Sequence, residues 1–280
     1  MTNIPKIPLG EWVDTFVAYL TETFEGLFEL ISSWIDGIVT FIVTIFTFLP
    51  AIGLIAIIAA LAWIVSKKWT FAIFTLIGLL FIHNIGYWEQ TIDTLALVLT
   101  SVFISVIIGV PLGIWASQSE RASRVITPIL DFMQTMPAFV YLIPAIFFFG
   151  IGVVPGVISS VIFAMPPTIR LTNLGIRQVP EDLVEAANAF GSTTKQKLFK
   201  VQLPLATKTI LAGINQSIML ALSMVVIASL VGAPGLGVDV FRAVSRLEVG
   251  IGFEAGISIV ILAIILDRMT QYLGSRRQNS

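Results

Sequence analysis

Few side chains in this sequence could carry out chemistry. The 280 residues include no cysteine and a single histidine, His83, which excludes thiolate zinc sites, cysteine nucleophiles and histidine-based catalytic triads. The phosphate-binding pattern G-x-x-x-x-G-K-[ST] is absent, so any ATP chemistry would need another polypeptide. We therefore predict that the chain has no catalytic residue and binds no metal or cofactor of its own.

One hydrophilic stretch, residues 172–208, has helix boundaries typical of a protein-binding surface. Pro180 precedes two acidic residues, which predicts a helix start, and Gly191 predicts its end. A second helix, starting at Thr193 or the residue before it, carries three lysines and is predicted to stop before Pro204. A solvated loop is the alternative interpretation. The pattern favours two short helices joined by a glycine elbow.

The elements that must hold this stretch are hydrophobic. Apolar residues make up 56% of the chain and charged residues 12%, with a mean hydropathy of +0.96. A soluble domain carries about 25% charged residues. The chain is therefore predicted to be an all-α integral membrane protein. Its net charge of −1 gives no indication of nucleic-acid binding.

Seven segments come close to the roughly 17–25 apolar residues that a membrane helix needs. The fourth and fifth form a tight hairpin, and the fifth carries Pro166-Pro167, so we expect it to be buried among other helices. Basic residues concentrate in loops that seven spans place on one side, which predicts an outside N-terminus and a cytoplasmic C-terminus. The predicted spans are 48–65, 70–88, 94–116, 134–151, 154–170, 210–232 and 251–272.

The N-terminal part reads differently. Apolar residues at spacings of three and four predict one amphipathic helix over residues 11–38, lying in the membrane interface or against other helices. The apolar run 38–49 is only about 12 residues, which is short for a crossing, although an eighth crossing that starts near residue 30 stays open.

The motif in the hydrophilic stretch resembles a known signature. Glu185-Ala186-Ala187, Gly191 and Val201-Gln202-Leu203-Pro204 match the pattern E-A-A-x3-G-x9-I-x-L-P, with Val201 in place of isoleucine. That signature marks the permease subunits of bacterial binding-protein-dependent ABC importers. Longer runs, including DFMQTMPAFVYLIPAIFFFGIG and LALSMVVIASLVGAPGLG, resemble the glycine betaine/proline-betaine branch.

The resemblance implies a division of the chain. Its N-terminal part is an interfacial segment followed by two peripheral helices, and most of the remainder is the type-1 importer core. The predicted boundaries are 1–49, 50–90 and 91–273, with the coupling loop at 172–208 and a basic cytoplasmic tail at 274–280.

The resemblance also implies roles in ATPase coupling. The helix before Gly191 would dock in a groove on the ATPase subunit, with Glu185 making a polar contact. Gly191 would allow the turn and Pro204 would end the unit. The remaining coupling residues implied by the motif are Ala186, Ala187, Val201 and Leu203.

The implied assembly contains a second copy of the chain, two ATPase subunits that hold ATP and Mg, and an extracytoplasmic glycine betaine-binding protein. It would lie in the bacterial cytoplasmic membrane and work by alternating access. Choline, carnitine or proline are the alternative substrates. A secondary transporter or an osmotically gated channel is the alternative class.

Two further sets of residues are candidates for substrate and partner contacts. Phe139, Tyr141 and Phe147 lie on a proline-interrupted segment and, with Glu254, could line the path, since aromatic faces bind quaternary ammonium groups. Core packing is the alternative for these aromatic residues.

An outer loop after the glycine-rich run 232–237 could contact the binding protein through Gly235, Arg242 and Arg246. A simple glycine-rich turn is the alternative interpretation.

Overall fold

The computed structural model describes residues 8–276, which contain helices and no strand. The all-α prediction is confirmed for this part of the chain. A 3-10 turn, Ala138–Tyr141, and a π-helical turn, Leu198–Gln202, interrupt the α-helices. The α-helices are α1 Leu9–Thr23, α2 Glu25–Thr47, α3 Ala51–Ser66, α4 Trp69–Asn84, α5 Trp88–Gln118, α6 Glu120–Thr135, α7 Leu142–Phe149, α8 Val153–Arg177, α9 Glu181–Ala189, α10 Thr194–Lys197, α11 Leu203–Ser229, α12 Leu236–Arg246 and α13 Val249–Arg276.

The core consists of α8 packed between α5 and α11. Small residues line both contacts, because only they let helix backbones approach so closely. A Cβ on Gly113 of α5 would lie 2.5 Å from Cβ of Thr172, and a Cβ on Gly213 of α11 would lie 3.0 Å from the carbonyl oxygen of Pro167. Buried hydroxyls join the same helices, with Ser217 donating to the carbonyl of Ala164.

The expected burial of the helix that carries the proline pair is confirmed. In the most apolar stretch of α8, 67% of the residues are buried, and Pro166 and Pro167 are both buried. The helix runs through the proline pair without interruption and extends to Arg177, beyond the predicted end at residue 170.

The predicted span 134–151 is not a single helix. The chain bends by 107° between α6 and the segment Ala138–Phe149. Pro137 causes this break, because it cannot donate to a helical hydrogen bond and it forces Met136 into an extended conformation. Only the eight residues of α7 therefore remain as the first arm of the predicted hairpin with α8.

The single amphipathic helix predicted over residues 11–38 is also wrong. The helix breaks at Phe24, and α2 runs from Glu25 to Thr47. The apolar run 38–49 is short only when it is considered apart from the preceding turns, which belong to the same helix, α2. With 23 residues, α2 meets the length and composition required of a membrane span.

Five described helices are long and apolar enough to cross a membrane, or six if the bent pair forms one span. By contrast, α3 and α4 have 16 residues each, about 24 Å at 1.5 Å per residue. The count of seven crossings, the orientation and the division into segments stay predictions. Residues 1–7 and 277–280, the ends of the predicted N-terminal segment and basic tail, lie outside the described residues.

The contact between α5 and α8 leads to a prediction. Gly113→Ala should destabilise the protein by about 1–3 kcal/mol, because the new methyl group overlaps Thr172 and the carbonyl of Ile169. Gly256→Ala on α13 is the matched control, since nothing lies within 4 Å of its Cβ position. Thermal unfolding in detergent should show a lower midpoint for the first variant alone. Equal midpoints would refute the close packing.

Candidate functional site

Helix α9 begins as the sequence predicts. Pro180 is its N-cap residue, and Glu181 and Asp182 occupy the first turn, where acidic side chains stabilise the positive end of the helix dipole. No residue of α9 is buried. Leu183 is 42% exposed and Phe190, just after the helix, is 91% exposed. The helix and the residue after it therefore present apolar side chains that are exposed in the single chain.

The predicted glycine elbow is confirmed. Gly191 has φ +74°, and nothing lies within 4 Å of its Cβ position. Glycine is therefore favoured here by backbone conformation and not by lack of space. Thr193 then caps α10 reciprocally: Gln196 N donates to Thr193 Oγ1 at 3.3 Å, and Thr193 N donates to Gln196 Oε1 at 2.9 Å. Lys197 Nζ donates to Asn188 Oδ1 at 3.1 Å, which ties α10 to α9.

The prediction that the unit ends before Pro204 is wrong. The chain stays helical from Thr194 to Ser229, and Pro204 lies in the first turn of α11. Proline is tolerated at that position because it directly follows the π turn, where the regular i→i−4 hydrogen-bond pattern is already interrupted. The π turn lies immediately before it, and Leu203 N donates to the carbonyl of Leu198 there. The second arm of the elbow is thus continuous with a core helix.

This arm is also fastened to α5. Gln118 Nε2, at the end of α5, donates to Gln202 Oε1 in the π turn at 3.1 Å. The motif residues Val201 and Leu203 are half-buried beside it. Displacement of the elbow would therefore reach α11 through the helix axis and α5 through this hydrogen bond.

Sequence reasoning missed two ion pairs that join α6 and α8. Arg177 donates to Glu120 Oε1 at 2.5 Å and to the carbonyl of Ala116 at 3.0 Å. Two turns before Arg177 on α8, Arg170 donates to Asp131 Oδ1 at 2.5 Å. The seven-residue spacing of the two arginines, which places them on the same face of one helix, was the signal that could have revealed these pairs.

The four path candidates do not come together in one described cavity. Tyr141 is buried, and its hydroxyl donates to the carbonyl of Met133, which indicates a packing role. Phe139 and Phe147 are exposed, and Glu254 is exposed on α13. A path role for these residues stays a prediction.

The predicted outer loop after residue 237 is wrong, because this segment forms α12. The buried face of α12, which includes Leu236 and Ala243, packs against the core. The apolar side of this helix is therefore covered by other helices of the chain. Gly235 is buried with φ +119°, and its Cβ position is 2.5 Å from Thr94 Oγ1. It therefore shapes the turn and offers no surface in this chain. Arg242 and Arg246 are exposed, and Arg242 pairs with Asp239 at 3.3 Å.

Comparison with known proteins identifies the family. The binding-protein-dependent transport system inner membrane component family matches residues 109–279, more than half of the chain. The chain belongs to this family. It is the permease subunit of a binding-protein-dependent importer and a multi-pass protein of the cytoplasmic membrane. The match begins inside α5 and includes the elbow, α8 and α11.

Two relatives align with this permease over its whole length. The glycine betaine transport system permease protein OpuAB of Bacillus subtilis (strain 168) is 63% identical over 279 residues, covering 100% of this chain and 99% of the relative. The glycine betaine/carnitine transport permease protein GbuB of Listeria monocytogenes serotype 1/2a (strain 10403S) is 57% identical, covering 100% of both chains.

A solved structure supports the fold of this permease. The chain superposes on a chain of the inward-facing MetNI methionine ABC transporter with a TM-score of 0.57 and 24% identity, covering 70% of this chain and 94% of the other. The predicted type-1 importer permease fold is confirmed by this likeness.

The reciprocal cap on α10 leads to a prediction. Thr193→Ala should speed amide exchange in residues 194–202, because losing an N-cap hydroxyl costs about 1 kcal/mol. Ser192→Ala is the adjacent control, since the Ser192 hydroxyl has no hydrogen bond among the described residues. Hydrogen–deuterium exchange on the detergent-solubilised protein measures the difference. Equal exchange in both variants would contradict the cap.

Proposed function

We propose that this permease imports glycine betaine, an osmoprotectant, by ATP-driven alternating access. The observation that carries the proposal is the identity of 63% and 57% to two permeases named for glycine betaine, each aligned over the full chain. Carnitine is the second candidate substrate, because the name of the Listeria relative includes it. A permease named for choline is more distant, at 29% identity over 178 residues.

The proposed assembly contains two copies of this chain, two ATPase subunits and an extracytoplasmic substrate-binding protein. The exposed face of α6 supports a partner within the membrane. Val125, Ile129 and Phe132 lie on one side of that helix and are all largely exposed in the single chain. A second copy would bury such a face. ATP and Mg would bind to the ATPase subunits, and this chain would have neither a catalytic residue nor a cofactor.

We assign ATPase coupling to the elbow, with α9 docking in a groove on the ATPase subunit. Leu183 and Phe190 supply exposed apolar contacts, and Glu185 supplies an exposed carboxylate for a polar one. The small side chains of Ala186 and Ala187 let the helix approach its partner closely. A rigid helix moves as one body, so ATP-driven closure of the ATPases would displace the elbow as a unit.

The route of that displacement follows from the continuous helix. Val201, Leu203 and Pro204 lie where the π turn meets α11, so movement of α9 and α10 acts directly on a core helix. Phe139, Phe147 and Glu254 are the path residues we retain, because they are exposed in the single chain. Arg242 and Arg246 of α12 are the retained candidates for binding-protein contact.

Uptake measurements test the proposed substrate and mechanism. We expect labelled glycine betaine to enter cells that lack their own uptake systems only when this chain is expressed with its ATPase and its binding protein, at high osmolarity. Unlabelled choline and proline should compete poorly. Uptake without the ATPase would indicate a secondary transporter. ATP-dependent uptake of another solute, without glycine betaine, would replace the substrate but keep the mechanism.

The elbow gives a separate prediction for coupling. Gly191→Val should reduce uptake by about tenfold or more, because a β-branched residue is strained at φ +74°. Gly191→Asn is the matched control, since asparagine tolerates the left-handed region and the space around the site is open. Uptake is measured at equal amounts of protein in the membrane. Normal uptake by the valine variant would refute the coupling assignment.

A further inference from the structure

An apolar cavity of about 220 Å³ lies between the peripheral helices and the core. Its walls come from α2, α3, α4, α5 and α13, and every described lining residue except Thr91 is apolar. An apolar cavity of about 150 Å³ is large enough to hold benzene, so this one can hold part of a hydrocarbon chain. Water is a poor occupant, because it would find no set of polar partners there.

The cavity runs along the helices and not across them. Trp88 and Thr91, at the start of α5, line one end. Leu61 of α3 and Met269 of α13 line the other end, and Leu61 is 45% exposed, so this end is open to the surroundings. In a chain that lies in a bilayer, the surroundings of this opening are lipid.

Two lysines lie just beyond the open end. Lys67 and Lys68 connect α3 to α4, six and seven residues after Leu61, which is about 9 Å at 1.5 Å per residue. Both are exposed, and neither has an ion pair with a carboxylate among residues 8–276.

Aromatic rings hold these ammonium groups instead. Lys67 Nζ lies 5.4 Å from the Trp63 ring centroid, and Lys68 Nζ lies 5.2 Å from that of Tyr272. The ring centroids of Trp63 and Trp69 lie 5.1 Å apart, with the two rings tilted by 38°. Tryptophan and tyrosine concentrate at the level of lipid headgroups, so these two positive charges lie where phosphates are found.

We propose that an anionic phospholipid binds here, with its phosphate between Lys67 and Lys68 and one acyl chain in the cavity. The two unneutralised charges select the anionic headgroup, and the apolar walls select the chain. The bound lipid would then fill the space between the α3–α4 pair and the core. The inference does not depend on the transported substrate.

Native mass spectrometry of the full-length protein tests the proposal, with phosphatidylglycerol and phosphatidylcholine of equal chain length as probes. We expect the wild-type chain to retain phosphatidylglycerol preferentially. The double variant Lys67→Gln/Lys68→Gln should reduce this preference by about thirtyfold, since each lysine near an anionic headgroup strengthens binding by roughly fivefold. Arg121→Gln/Arg124→Gln is the matched control, because it removes two exposed charges from α6, away from the cavity.

Filling the cavity tests the position of the acyl chain. Ile58→Trp should displace the lipid because Ile58 lines the cavity, whereas Ile57→Trp should not, because Ile57 lies on the exposed side of the same helix. Leu61→Phe, at the open end, is a second blocking variant in case Ile58→Trp does not fold.

Three outcomes would overturn the proposal. The first is equal retention of the two lipids by the wild-type chain. The second is equal loss of lipid in the blocking variants and the Ile57→Trp control. The third is a lipid-free dimer in which a second copy of the chain occupies the cavity opening.

Discussion

The close approach of three helix backbones sets the position of everything else in the chain. Helix α8 can lie this close to α5 and α11 only because glycine occupies the positions nearest to the threonines and backbone carbonyls of α8. Gly113 and Gly213 are two of these positions. In a membrane, helices gain little from hydrophobic burial, so van der Waals packing and interhelical hydrogen bonds must hold them together. Buried hydroxyls such as that of Ser217 supply interhelical hydrogen bonds. The broken segments, the elbow and α12 are arranged around this core.

The connections between the elbow and this core differ in stiffness. Its second arm continues as α11, so it shares an axis with a core helix. Residues 178–180 join its first arm to α8, and a single side-chain hydrogen bond from Gln118 to Gln202 links its second arm to α5. Exposed hydrogen bonds of this kind contribute little stability each. A partner that moves α9 therefore displaces the elbow together with α11, and the side-chain hydrogen bond resists sideways movement only weakly.

Short-range chemistry made part of this arrangement predictable. Pro180, Gly191 and Thr193 mark boundaries through their own backbone preferences, so the elbow could be predicted from the residues alone. Composition was enough for the membrane class, and motif spacing for the family. The wrong predictions applied the preference of a single residue at positions where a neighbouring helix or turn changes the outcome. Pro204 was expected to stop a helix, but the π turn before it lets the helix continue without the hydrogen bond that proline cannot donate. The break at Phe24 carries no proline or glycine at the position itself that would mark it in the sequence.

The π turn before α11 changes the direction in which the side chains of α10 point relative to those of α11. A π turn holds one residue more than an α turn, and one residue corresponds to about 100° around a helix axis. The side chains of α10 are therefore rotated by about that angle, relative to the core-facing side of α11, from where an uninterrupted helix would place them. The five residues Leu198–Gln202 thus set the direction in which the elbow points. A single-residue deletion there would leave both surfaces chemically intact but facing different ways.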